Sequence, residues 1–198
     1  MSSLNADEFQ LSSAFENLTY NATAQYGSSG IIGGEVSAMK KIRDRVVGAA
    51  SIKYLDYNTD GHSLKGSLKA YYAVNDNIII GGGPGILYSK TYEYQKHDVK
   101  RATWDPHVFV NDSYTIEHSN YMTKPIAEAS IAYGLGNHGY VSLSAYIHDA
   151  NNFNINIEAP IISHNTEFGA LGLGVYAEST VIDNQTINHA GVLAGVTF

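Results

Sequence analysis

The sequence predicts an all-β fold: an antiparallel, even-stranded transmembrane β-barrel of about ten strands. Three observations carry this. Apolar and polar residues alternate with period two along most of the 198-residue chain, the spacing of strands whose successive side chains point to opposite faces. Turn signals rich in Asn, Asp and Gly cut the chain into segments that match the roughly 9–11 residues a tilted strand needs to cross a bilayer. The polar faces are mostly uncharged, and the whole chain is only 16% charged, well below the roughly 25% of ordinary globular domains.

The elements follow in order. Residues 16–26 form the first strand, with Leu18, Tyr20, Ala22, Ala24 and Tyr26 on one face and Asn17, Thr19, Asn21, Thr23 and Gln25 on the other. YGSSG at 26–30 turns the chain into a second strand at 30–39. The basic run KKIRDR at 40–45 reads as a solvated turn before a third strand at 45–57. After NTDG, the strand 63–74 sets Leu64, Leu68, Ala70, Tyr72 and Val74 against Ser63, Lys65, Ser67, Lys69 and Tyr71. NDN at 75–77 leads into 77–92, and a later strand covers 124–135. Between them, 93–123 is open to two readings: one long loop, or a further hairpin around VFVNDSYTI that would raise the count to twelve.

The second half repeats the rhythm. GNHG precedes 139–148, where Val141, Leu143, Ala145 and Ile147 oppose Ser142, Ser144, Tyr146 and His148. DANN precedes 152–161, where Phe153, Ile155, Ile157 and Ala159 oppose Asn154, Asn156 and Glu158. SHN at 163–165 marks a turn into 166–179, where Leu171, Leu173, Val175 and Ala177 oppose Gly172, Gly174, Tyr176 and Glu178. A link at 180–187 leads to 188–198. Asn, Asp and Gly suit these turns because they tolerate the positive φ of tight hairpins.

Closing such a sheet removes its open edges, and what remains is which face looks outward. A soluble barrel or sandwich would need a charged exterior. Faces of Asn, Thr and Gln fit a wet interior instead, and Tyr near strand ends (Tyr20, Tyr26, Tyr54, Tyr72, Tyr88, Tyr133) fits aromatic belts at two interfaces. The whole chain is then one barrel domain, 1–198, with 93–123 as a long extracellular loop or extra hairpin.

Composition excludes several classes. A formal charge of −7 and the lack of a basic patch argue against a nucleic-acid partner. With no Cys there is neither a disulfide framework nor a thiolate metal site. The start MSSLNADEFQ is not an export signal, so an exported protein would have lost its signal peptide.

The final strand places Ala190, Val192, Ala194, Val196 and Phe198 on one face, with His189, Gly191, Leu193, Gly195 and Thr197 on the other. In GVLAGVTF the chain resembles small Gram-negative outer-membrane β-barrel proteins. That resemblance implies residence in the cell outer membrane, contact with its lipids, and a last strand read by the barrel assembly machinery. It also implies periplasmic termini, with NDN and GNHG beside them and NTDG, DANN, 93–123 and 180–187 outside.

Alternation directs Glu35, Lys53, Lys65, Lys69, Glu128, His148, Glu158 and Glu178 into the lumen. Opposite charges there should pair, because unpaired buried charge is expensive. They form a plug, or a selective pore lining. Gly81, Gly83 and Gly85 share a face and either make room for Lys or Tyr or widen a channel. GGGPG lacks the Lys-Ser/Thr of a phosphate loop. DYNTDG begins like a calcium loop, but Ser67 stands where the twelfth-position acid belongs. No metal site and no cofactor are expected.

The catalytic candidates are Glu117, His118 and Ser119 in IEHSNY, which distantly resembles the His–Ser–Asn signature of outer-membrane lipid A 3-O-deacylases. In that family one residue separates His from Ser, whereas here they are adjacent and would point to opposite faces of a strand. Trp104, Asp105, His107 and Tyr114 are candidates for binding a surface ligand through the 93–123 segment. The functional expectation is a porin-like passage for small solutes. Its rival is a pore-less adhesin or structural barrel acting through its extracellular loops, and a lipid-modifying hydrolase comes third.

Overall fold

A computed structural model describes residues 18–58, 61–75, 77–102, 109–134, 140–149, 152–166, 169–182 and 185–198. Ten strands follow in order: β1 Thr19–Gly27, β2 Ile32–Arg43, β3 Val46–Asp56, β4 Gly61–Ala73, β5 Ile78–Ala102, β6 Phe109–Gly134, β7 Tyr140–Asp149, β8 Asn152–Thr166, β9 Gly169–Ile182 and β10 Gln185–Thr197. Each pairs antiparallel with the next, and β1 closes on β10 through Asn21↔Thr197 to Gly27↔Gly191. Tyr20 and Phe198 seal the seam, with Tyr20 N–H donating to Phe198 O at 3.2 Å and Phe198 N–H donating to Tyr20 O at 2.9 Å. The closed barrel is therefore even-stranded, with ten strands.

Local chemistry sets the turns. Asp56 Oδ1 accepts the Asn58 backbone N–H at 2.9 Å, and Asn58 adopts φ 60°. Asn75 Oδ1 accepts the N–H groups of Asn77 and Ile78 at 2.9 and 2.8 Å. Such side-chain bonds to the following backbone are why Asp and Asn mark turns. The SHN signal at 163–165 is overruled, because β8 continues to Thr166. The irregularity in β8 is a register shift against β9 between Pro160 and Ile162.

The 93–123 segment is neither a loop nor a source of added wall strands in its described parts. Residues 93–102 continue β5 and 109–123 continue β6. β4 accompanies β5 only as far as Gly61↔Thr91, and β7 meets β6 only from Ala127↔Ile147. Beyond those points β5 and β6 pair with each other alone, out to Ala102↔Phe109, as a two-stranded ribbon rising from the rim.

The barrel is inside-out relative to a soluble one. Val36, Ile52, Leu68, Ile86, Leu173 and Val192 are 54–64% exposed on the outer face, whereas Thr180, Asn154, Glu178 and Lys53 are 0–7% exposed within. An apolar exterior around a polar interior is the architecture of a membrane-spanning barrel. Two small apolar clusters lie buried toward the ribbon end. One is Leu87, Met122, Ile126 and Tyr146, and the other is Ile31, Leu55 and Tyr57 with Ile187 against it.

Candidate functional site

The inward faces of β3, β8, β9 and β10 converge on Glu178. Lys53 reaches it from across the lumen, Nζ to Oε2 at 2.9 Å, with both side chains nearly inaccessible. Asn154 Nδ2 donates to Glu178 Oε1 at 2.6 Å and to Thr180 Oγ1 at 2.6 Å. His189 Nε2 stands 3.5 Å from Glu178 Oε2, its ring edge-on to Tyr57 and Tyr176. Register explains the near neighbours, since His189 and Asn156 flank Glu178 directly on β10 and β8. A buried carboxylate needs this many partners, because removing it from water costs several kcal/mol, of order.

A second network joins β4 to β6. Lys65 pairs with Glu128 Oε1, and Lys69 lies 2.8 Å from Oε2 of the same carboxylate. The Lys65 ammonium also sits 5.0 Å from the centre of the Tyr146 ring. Glu35 neighbours Lys53 across the β2–β3 ladder, and Glu158 accepts from Asn156 Nδ2 at 2.7 Å. His148 joins neither network. It is the extra residue at the β7–β8 bulge, and its Nδ1 lies 3.0 Å from Asp149 Oδ2, which Lys124 approaches at 2.9 Å.

Below these networks, in the half of the barrel that holds both described chain ends, lies a cavity of about 400 Å³. Its floor includes Lys53, Lys65 and Asn154, its wall Glu35, Glu158 and Tyr71, and it extends to the rim at Met39 and Thr197. Tyr71 fits against the wall because Gly81 lies opposite it, and a Cβ at Gly81 would run into the Tyr71 ring. The interior is thus a vestibule of mixed polar and apolar lining at one end and an ion-paired half at the other.

Glu117, His118 and Ser119 lie on the ribbon opposite Tyr94, Glu93 and Tyr92, where strand geometry sends His118 and Ser119 to opposite sides. Among the described residues no group of three or more His, Cys, Asp or Glu could hold a metal ion. Tyr114 is exposed on the ribbon and stacks on His97 at 5.4 Å. Trp104, Asp105 and His107 fall outside the described residues. Asn154, Thr180, His189 and Tyr57 were not singled out in the sequence, although Asn154 and His189 already stood on its polar faces.

No family model matches the chain, and no curated protein matches it. Among solved structures it is similar to the N-terminal β-barrel domain of Pseudomonas aeruginosa OprF, at 13% identity and a TM-score of 0.37, covering 93% of this chain and 98% of that one. The fold assignment itself rests on the strand pairing.

Proposed function

We propose that this protein is a closed barrel of the bacterial outer membrane that anchors the β5–β6 ribbon at the cell surface. The apolar outer face supports the membrane setting, and the outward-facing Phe198 at the seam suits recognition of β10 by the assembly machinery. The observation that carries the closed reading is the burial of the Lys53–Glu178 pair, with side chains 8% and 2% exposed, beside two apolar clusters. Ions and solutes would have to break that pair to pass. The ribbon, with exposed Tyr94 and Tyr114, is the part best suited to meet a surface ligand.

A second reading, the porin-like passage, draws on the cavity of about 400 Å³ that reaches Lys53, Lys65 and Lys69. Single-channel recording in a planar bilayer separates the two. The closed barrel gives a silent membrane. Stepwise currents that change when Lys65 and Lys69 are replaced by Gln would establish the passage and discard the closed barrel.

A further inference from the structure

The outer wall at the ribbon end carries an ordered set of side chains. Cross-strand register aligns Ile52, Gly66, Ile86 and Pro125 in one row, and Tyr54, Leu64, Tyr88 and Thr123 in the next. The third row is Asp56, His62, Lys90 and Tyr121. Apolar surface therefore gives way to a row with two tyrosines and then to one in which Lys90 stands between His62 and Tyr121, with Asp56 at its far end. The His62 ring lies 6.1 Å from both Tyr54 and Tyr88. The Lys90 ammonium lies 4.6 Å from the Tyr92 ring centre and 5.3 Å from that of Tyr121.

Lys90 is unusual in its partners. Among the lysines whose side chains are described, only Lys40 and Lys90 have no carboxylate within 4.0 Å. Asp56, in the same row, is engaged by the Asn58 N–H at 2.9 Å. Aromatic faces attract an ammonium but leave its charge uncompensated. A lysine at the edge of an apolar band sits where long basic side chains reach the headgroup layer.

We propose that this patch binds the phosphate of an anionic lipid headgroup, with Lys90 supplying the charge, His62 a flanking ring nitrogen, and Tyr88, Tyr92 and Tyr121 the walls. The proposal rests on the membrane reading above. It commits to a lipid because the patch begins where the apolar rows end, so a bound lipid would place its acyl chains on Ile52, Leu64 and Ile86.

The test uses the whole chain, refolded in detergent and offered dioleoyl phosphatidic acid or dioleoyl phosphatidylcholine. Native mass spectrometry counts the retained lipid, and flotation with phosphatidylcholine vesicles reports insertion separately. Lys90→Gln should lower phosphatidic acid retention about five-fold, the effect expected for one basic side chain near an anionic surface. Lys90→Arg should restore it, Tyr121→Leu should lower it by a smaller factor, and phosphatidylcholine retention should not change. Equal phosphatidic acid retention by wild type and Lys90→Gln, with both floating, would overturn the lipid site and leave the membrane reading intact. Displacement of the lipid by excess inorganic phosphate would make this a soluble-anion site instead. If the wild type itself did not float, the membrane reading would fall and the site with it.

Discussion

Lys53 and Glu178, 125 positions apart in the chain, meet at 2.9 Å across the barrel interior. Breaking a buried pair by removing one partner costs about 3–5 kcal/mol, because the other charge is left uncompensated. Glu178→Ala should therefore lower unfolding stability by that amount in urea titrations of the refolded barrel. Lys53→Met combined with Glu178→Gln removes both charges and keeps an acceptor for Asn154, so it should recover most of the loss. A double variant as unstable as the single one would show that the pair is not the source of the cost.

The outward face of Leu68, 64% exposed, distinguishes lipid from water. A surface substitution in a soluble protein changes stability by about 0.5 kcal/mol or less. Arginine at the bilayer midplane of a barrel costs about 2–4 kcal/mol. Leu68→Arg is expected to show the larger penalty when unfolding is followed in phospholipid vesicles. A negligible penalty would argue against acyl chains on this face.

The glycines of β4 and β5 make opposite predictions. A Cβ at Gly83 would strike the backbone carbonyl of Leu68, whereas one at Gly66 meets nothing within 4 Å. Gly83→Ala should destabilise by roughly 1–3 kcal/mol, the usual range for overpacking. Gly66→Ala should be neutral or stabilising by about 0.4–1 kcal/mol, through the reduced freedom of the unfolded chain. Thermal shift of the two variants in one detergent compares them directly.

The ribbon should be dispensable for the wall. Tyr94 pairs with Glu117, beyond the last rung shared with β4. Replacing residues 94–117 by Asn-Gly leaves every wall ladder intact, and two residues of that type suit a hairpin. The shortened chain should keep the heat-modifiable gel mobility of a folded barrel. It should lose binding to any surface ligand that the full-length protein captures.

Much of the wall was legible in the sequence because each strand separates lipid from lumen, which imposes a strict two-residue alternation. Ile155 and Ile157 facing out, with Asn154 and Asn156 in, could be read from FNINIEA alone. The sequence leaves the ribbon open between a loop and a hairpin for the complementary reason. Residues 93–99 and 113–118 are exposed on both faces, so no apolar partner sorts Glu93, Tyr94, Gln95 and Lys96 onto two sides. Alternation also pointed Lys53, Lys65, Glu128 and Glu178 inward without saying who meets whom. Those pairings depend on the stagger between strands that are not neighbours, which a one-residue register change would rearrange.

The seam between β1 and β10, tied at Tyr20 and Phe198, has a consequence for biogenesis. Until β10 arrives, a partly assembled chain keeps two raw margins with unpaired amides and carbonyls, which invite pairing with any neighbouring chain. Hairpins between sequence neighbours cannot complete the circle by themselves, because the β1–β10 rungs link the two most distant described stretches of sequence. Whatever covers those two margins until they meet would spare the chain such mispairing.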